Sequence, residues 1–192
     1  WLWRYSRRPL DAESIRDAML AISGQLDRSV PQSHPFPPVD QWAFTIHRPF
    51  HAVYESNHRS IYLMLQRNRR HPFLTMFDAA DPNTSVAKRL PTITPTQSLF
   101  LMNSPFVHQQ SDAFANQLLA IPGDDASRVR FAYESVLGRA ATDAEVDETL
   151  SFLSVYHSKL AASESSEPAN SVGVWAAFAR VLLSSNEFLH VD

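Results

Sequence analysis

The 192-residue chain contains no cysteine. That excludes disulfides, Cys-ligated zinc, iron–sulfur clusters and covalently attached c-type haem within it. Only four glycines are present, with no Gly-rich phosphate loop and no G-x-S-x-G nucleophile elbow. No apolar run approaches the roughly 20 residues that a membrane-spanning helix needs. Lysine is scarce too, at two of the seventeen basic residues, the other fifteen being arginine. The opening "WLWRYSRR" puts arginines where the apolar stretch of an export signal would lie. Its abrupt start, with Trp1 and Trp3, leads to the expectation of a piece cut from a longer protein.

What remains is an ordinary globular composition, 44% apolar and 19% charged, sufficient to bury a core unaided. Charge is unevenly placed. Residues 1–70 hold ten arginines against six acids, a net of +4, whereas residues 111–192 hold five basic groups against twelve acids, a net of −7. The guanidinium fork suits planar, bidentate contacts with carboxylates, so the first part is expected to pair with the last. A basic surface for nucleic acid, centred on "QRNRRH" (residues 66–71), is a poorer fit because the cluster is short and the pI is about 6.2.

Pattern and punctuation predict a mainly α fold. An irregular, proline-rich N-terminal half is expected to pack on a bundle of about five or six helices, with at most a short β element. In "LDAESIRDAMLAISG", Asp11 can cap, Leu10 and Ile15 have the spacing of a hydrophobic staple, and Gly24 can take the left-handed C′ position. Ile15, Ala18, Met19 and Ile22 share one face. Residues 29–54 carry five prolines and no period, and Ile61 to Leu65 reads as a short strand. Thr94, Pro95 and Gln97 form a capping box with proline at N1, and Ser104–Pro105 repeats the start signal. Val107, Phe114 and Leu118 then face inward. A helix over residues 126–137 presents Val129, Ala132, Tyr133 and Val136, and Gly138 stops it. Thr142 and Glu145 make a second capping box, before Val146, Leu150, Leu153, His157 and Leu160. A polar linker, "SESSEPANS", leads to a last helix with Val174, Trp175, Phe178, Val181 and Leu182 inward. The expected organisation is one helical domain over 1–192: first helix 1–28, irregular segment 29–60, central block 61–104 and helical bundle 105–192.

Three groups of residues could carry chemistry. In "MFDAADPNTSVAKRLPTITPTQSLFLMN", Asp78 and Asp81 lie in an Asx-type turn, and Lys88 and Arg89 are near enough in sequence to fold back on them. One reading is an ion pair that locks the loop against the Pro95 helix. The other makes Asp78 and Asp81 catalytic carboxylates, with His71 nearby and Arg89 an anion clamp. Lys88, Arg89, Gln97, Asn103 and Trp42 are the candidate binding residues. Histidines 34, 47, 51, 58 and 71 fall within 38 residues. His47 and His51 have the i,i+4 spacing of metal ligands, but Pro49 between them is unwelcome in a helix. Third, Phe36, Trp42, Phe44, Phe50 and Tyr54 alternate with His and Pro; such aromatics suit a sugar face, or a small core of their own beneath the loop.

Several stretches together resemble a known family. "FDAADPN", "TITPTQSLFLMN", "LGRAATDAE" and "LLSSNEFLHVD" are similar to the planctomycete family called domain of unknown function 1553, and the resemblance runs from about Arg7 to Asp192. One departure is Lys88, where the family often has arginine. The resemblance implies no established activity and no catalytic residues. It implies a C-terminal part of an exported, extracytoplasmic multidomain protein, often with a cytochrome-c-like haem domain elsewhere in it and none in this chain. The leading expectation is an accessory or binding module that contacts upstream domains of its parent, with a glycan as possible ligand. An enzyme domain acting on polysaccharide through an Asp/His/Arg site is the alternative, and a His-based metal module the third.

Overall fold

The computed structural model describes residues 7–34, 38–41, 55–67, 69–162 and 171–191. Eight α-helices and a two-stranded sheet occur among them. They are β1 (Arg8–Pro9), α1 (Ala12–Ile22), α2 (Pro72–Met76), α3 (Pro95–Asn103), α4 (Pro105–Ala120), α5 (Asp125–Leu137), α6 (Asp143–Ala162), α7 (Ser171–Leu183), α8 (Asn186–Leu189) and β2 (His190–Val191). Six of the helices span nine residues or more, so the mainly α expectation holds. None of the described helices is long and apolar enough to cross a membrane.

The core is built on α4 against α7. Val107, Phe114, Ala115 and Leu118 of α4 meet Val174, Phe178, Ala179, Leu182 and Leu183 of α7, all buried. Small residues at Ser111, Ala115, Ala176 and Ala179 let the two backbones approach, and each large side chain removed from water contributes about 1.5–3 kcal/mol. Ser111 satisfies its hydroxyl on the Val107 carbonyl (2.8 Å), and Ser23 donates to Gln110 Oε1 (2.6 Å). Ile15 and Met19 of α1, Phe73 and Leu74 of α2, and Phe188 of α8 complete the core.

Termini follow the written signals closely. Gly24, at φ +69°, ends α1 in a Schellman arrangement, with Gln25 N–H on Leu20 O (2.9 Å) and Gly24 N–H on Ala21 O (3.1 Å). Both halves of the α3 capping box form: Gln97 N–H donates to Thr94 Oγ1 (3.4 Å), and Thr94 N–H to Gln97 Oε1 (3.0 Å). At α6, Thr142 N–H donates to Glu145 Oε2 (2.8 Å) and Glu145 N–H to Thr142 Oγ1 (3.3 Å).

Four expectations need correction. Asp11 stands at the N-cap of α1 without a side-chain cap bond; its carboxylate lies 3.9 Å from Arg89 instead. Ile61 to Leu65 is no strand: Ser60–Tyr62 is a 3-10 turn and Ile61 is 77% exposed. Asp17 captures the Ser60 N–H (2.8 Å) and the turn bonds to itself, from Leu63 N–H to Ser60 O (3.1 Å). The sheet lies elsewhere, where Arg8 and Pro9 pair antiparallel with Val191 and His190. His157 is exposed because the α6 stripe runs through Val146, Thr149, Leu153, Tyr156 and Leu160. Val181 is 59% exposed, on the outer side of α7.

Arg139, which follows the αL stop at Gly138, joins three elements. Its guanidinium donates to both oxygens of Glu145 (2.9 and 2.7 Å) at the start of α6 and to Glu187 Oε2 (2.9 Å) in α8, and lies 5.4 Å from the Tyr133 ring of α5. The Arg139 hydrogen bonds, then the Thr142 N–H, hold the Glu145 carboxyl down at about 2, and Arg139 lowers Glu187 too. A carboxylate depressed in the folded state stabilises it above the ordinary value of 4.5, and this support fades as pH falls toward 2. Urea melts between pH 7 and pH 3 are expected to show that decline. Glu145→Gln should lower stability at pH 7 by about 1 kcal/mol and make the acid decline shallower; an identical decline in the variant would remove Glu145 from this role.

Candidate functional site

The site begins with an arginine in an apolar stripe. Arg16 shares the inward face of α1 with Ala12, Ile15 and Met19, and is only 4% exposed. Its guanidinium reaches across to a non-helical segment. Nη1 donates to His58 O (3.0 Å) and Ser60 Oγ (3.1 Å), and Nη2 to Ser56 O. Asp17 lies 3.6 Å from the same guanidinium and accepts from the Ser60 hydroxyl (2.6 Å). The Arg16 guanidinium also lies 5.5 Å from the Phe106 ring centre, at the start of α4. Burial pulls the Arg16 pKa down while the Asp17 charge pushes it up, with a net lowering. Arginine remains charged regardless.

Beside this anchor lies a cleft of about 690 Å³. One wall is polar, with Glu55, Ser56 and Asn57. The lining also holds Phe73, Phe100 and Phe106, with the Phe73 ring edge-on to the other two at 5.8 and 5.3 Å. Arg16, Arg69, His71, Ser104 and Gln109, with Pro72 and Pro105, complete the lining. His71 precedes α2 and its Nδ1 is buried without a hydrogen-bond partner. Burial first, then the Arg16 charge, lowers the His71 pKa against the opposing pull of Glu55, so the imidazole is neutral near pH 7. Such a cleft offers an apolar face and a ring of donors in one concavity, of the size that small-molecule sites occupy.

Of the candidate catalytic, binding and metal residues, His71 lies in this cleft and the others described do not. Asp78 is the left-handed C′ residue of α2, at φ +57°, with Ala79 N–H on Leu74 O (2.9 Å) closing the turn. Its Oδ2 accepts from Thr92 N–H (2.6 Å) and Thr92 Oγ1 (2.8 Å), and Gln97 Nε2 donates to Met76 O (3.0 Å) beside it. Asp81 pairs with Arg70 and accepts the Asn83 N–H (2.9 Å). Arg89 grips Glu13 of α1 with two bonds, 2.6 and 3.0 Å. Burial raises the Glu13 pKa, but the Arg89 hydrogen bonds and charge outweigh it, with a net lowering. Lys88 is exposed and makes no ion pair among the described residues. Asn103 Nδ2 donates to Leu99 O (2.8 Å) within its own helix. Trp42, His47 and His51, together with Phe36, Phe44, Phe50 and Tyr54, fall outside the described residues. Among the described residues, no group of three or more His, Asp or Glu side chains is placed to hold a metal ion.

The expected lock between Asp78 or Asp81 and Lys88 or Arg89 is therefore wrong in its partners. Three of the four groups are engaged by residues farther along the chain, Asp78 by Thr92, Asp81 by Arg70 and Arg89 by Glu13, while Lys88 stays exposed. Sequence reasoning also missed Arg16, Ser104 and Gln109. One signal was available for Arg16, a charged residue at a core position of an amphipathic helix.

These elements define a helical domain with a polar-and-aromatic cleft where its irregular segment meets the bundle. A family model described as "PSD1: Protein of unknown function (DUF1553)" matches residues 1–153, and the chain belongs to that family. The "SNEFL" segment carrying Glu187 lies past the matched span. No curated protein and no solved structure matches the chain.

Two substitutions test this assignment of roles. Arg16→Ala strands buried carbonyls and the Ser60 hydroxyl, and is expected to cost about 3–5 kcal/mol in chemical denaturation, with Arg16→Lys recovering only part. A loss below about 1 kcal/mol would mean that the 56–60 segment is held by other contacts. At position 78 the ordering is diagnostic: Asp78→Gly should cost about 1 kcal/mol, and Asp78→Ala about 2, because alanine must also take the left-handed conformation. Equal melts for the two variants would discount the strain.

Proposed function

We propose that the domain is a binding module whose cleft takes a carbohydrate segment. The observation that carries this reading is the pairing of phenylalanine rings with side-chain donors from Asn57 and Gln109 around one concavity. A sugar ring has an apolar C–H face and an equatorial rim of hydroxyls, and such a cleft is complementary to both. The candidate acids Asp78 and Asp81 are committed to Thr92 and Arg70, so the reading does not depend on them for an acid/base pair. An exported setting beside a haem domain, as the family resemblance implies, fits a module that captures ligand for a neighbouring domain.

A second reading has one observation in its favour. His71 lines the cleft with Glu55 and is held neutral by burial, with its buried Nδ1 unpartnered, and a neutral imidazole is the state a general base needs. Under that reading the module would turn over a polysaccharide as well as hold it.

One experiment separates the two. Isothermal titration with oligosaccharides of neutral hexoses and of hexuronates should show saturable binding. Gln109→Ala and Asn57→Ala, both at exposed positions, should each weaken it about ten-fold without shifting the melt. Absence of binding at millimolar ligand would end the carbohydrate reading. Release of shorter products, lost in His71→Gln with affinity retained, would replace it by the enzymatic one.

A further inference from the structure

Helix α6 turns a partly apolar face away from the core. Val146, Thr149 and Leu153 are its buried, inward residues. On the other side, Glu148, Phe152, Val155 and Lys159 follow one another at steps of four, three and four, which places them in a single stripe. Phe152 is 36% exposed and Val155 52%, and Glu148, Ser151 and Lys159 are exposed as well. The Phe152 ring stacks on Tyr156, with centroids 5.6 Å apart and planes inclined by 22°. Tyr156 also packs against the core, so the stacked pair is held from behind. These six residues line a surface groove of about 330 Å³.

The stripe is symmetric in spacing and antisymmetric in charge. Its midpoint falls between Leu153 and Ser154, with Phe152 and Val155 equidistant from it, then Ser151 and Tyr156, then Glu148 and Lys159. The opposite charges at its ends stand about 16 Å apart along the helix axis. Among the described residues, neither Glu148 nor Lys159 has an ion-pair partner. A two-fold axis through the midpoint would set Glu148 of one copy against Lys159 of a second copy, twice, with Phe152 against Val155 at the centre. A parallel partner in the same register would instead put like charges together, so the pattern selects the antiparallel arrangement.

We propose that the outer face of α6 is a homodimer interface, covered by the same face of a second copy in antiparallel orientation. The Phe152, Val155 and Tyr156 centre supplies the attraction by leaving water. The ion pairs at the rim fix direction and register more than affinity. Three turns of helix cover less than the roughly 800 Å² per partner of a standard interface, so the dimer is weak, with a dissociation constant on the order of 100 μM.

The test is sedimentation equilibrium of the whole chain from about 10 μM to about 1 mM, where a reversible monomer–dimer equilibrium should appear. Glu148→Lys and Lys159→Glu each put like charges at both ends of the pair, and each variant alone should associate about ten-fold more weakly. Mixed in equal amounts, the two variants carry complementary charges and should form a heterodimer about as tight as the parent dimer. Phe152→Ser should abolish association. All three positions are exposed, so the melts of the variants should stay close to that of the parent. A chain that remains monomeric over this range overturns the proposal. So does a dimer indifferent to Phe152→Ser, or a mixture of the two charge variants that stays monomeric while the parent dimerises.

Discussion

A single buried guanidinium sets the geometry on which the rest of this domain depends. Arg16 stands where an aliphatic residue would normally complete the α1 stripe, and it turns that position into a junction. A charge this deep is costly unless every donor finds an acceptor. The backbone carbonyls of Ser56 and His58 and the Ser60 hydroxyl are the acceptors it finds. A segment with no helix or strand of its own is thereby fixed against two helices, and its carbonyls are relieved of the same penalty. The cleft is the space left beside that junction, with the segment as one wall and the α3–α4 turn as the other.

The polar motifs of the sequence behave as joints of the same kind. Asp78 holds Thr92 across the loop between α2 and α3, while Gln97 caps α3 and reaches the last carbonyl of α2. Arg139, Thr142 and Glu145 fasten α5 to α6 and, through Glu187, to α8. Arg89 on Glu13 ties the loop before α3 to α1. These polar groups lie at element ends, where a helix leaves orphan N–H and C=O groups that only side chains can meet. Their charge and spacing resemble those of a catalytic cluster, and their hydrogen-bond partners place them at junctions between elements. Asn57, His71 and Gln109, which line the cleft, take no part in these joints.

That division leaves the cleft beside an apparently plain stretch, the Ser-Pro-Phe turn between α3 and α4. A cleft needs walls that do not move. The edge-on rings of Phe73, Phe100 and Phe106 supply one, packed from behind by the helical core.

Much of the helical half was legible in the sequence, because caps and periods are local physics. The Thr94 and Thr142 boxes, the Gly24 stop, and the inward Val107, Phe114 and Leu118 all read correctly, since each depends on residues within one or two turns. Misreadings came where a local rule had to choose between near-equal answers. His157 and Tyr156 differ by one step in a helix, and only the packing of α6 selects Tyr156. The ion-pair assignments failed for a different reason: charge attracts without regard to sequence distance. Lys88 and Arg89 are near Asp78 along the chain, but Glu13, 76 residues from Arg89, is nearer in space. The sequence by itself determined the fold class, most helix boundaries and the need for strong polar joints. Only the tertiary structure decided which charges meet and where a cleft opens, because both depend on how separate elements pack and not on any element alone.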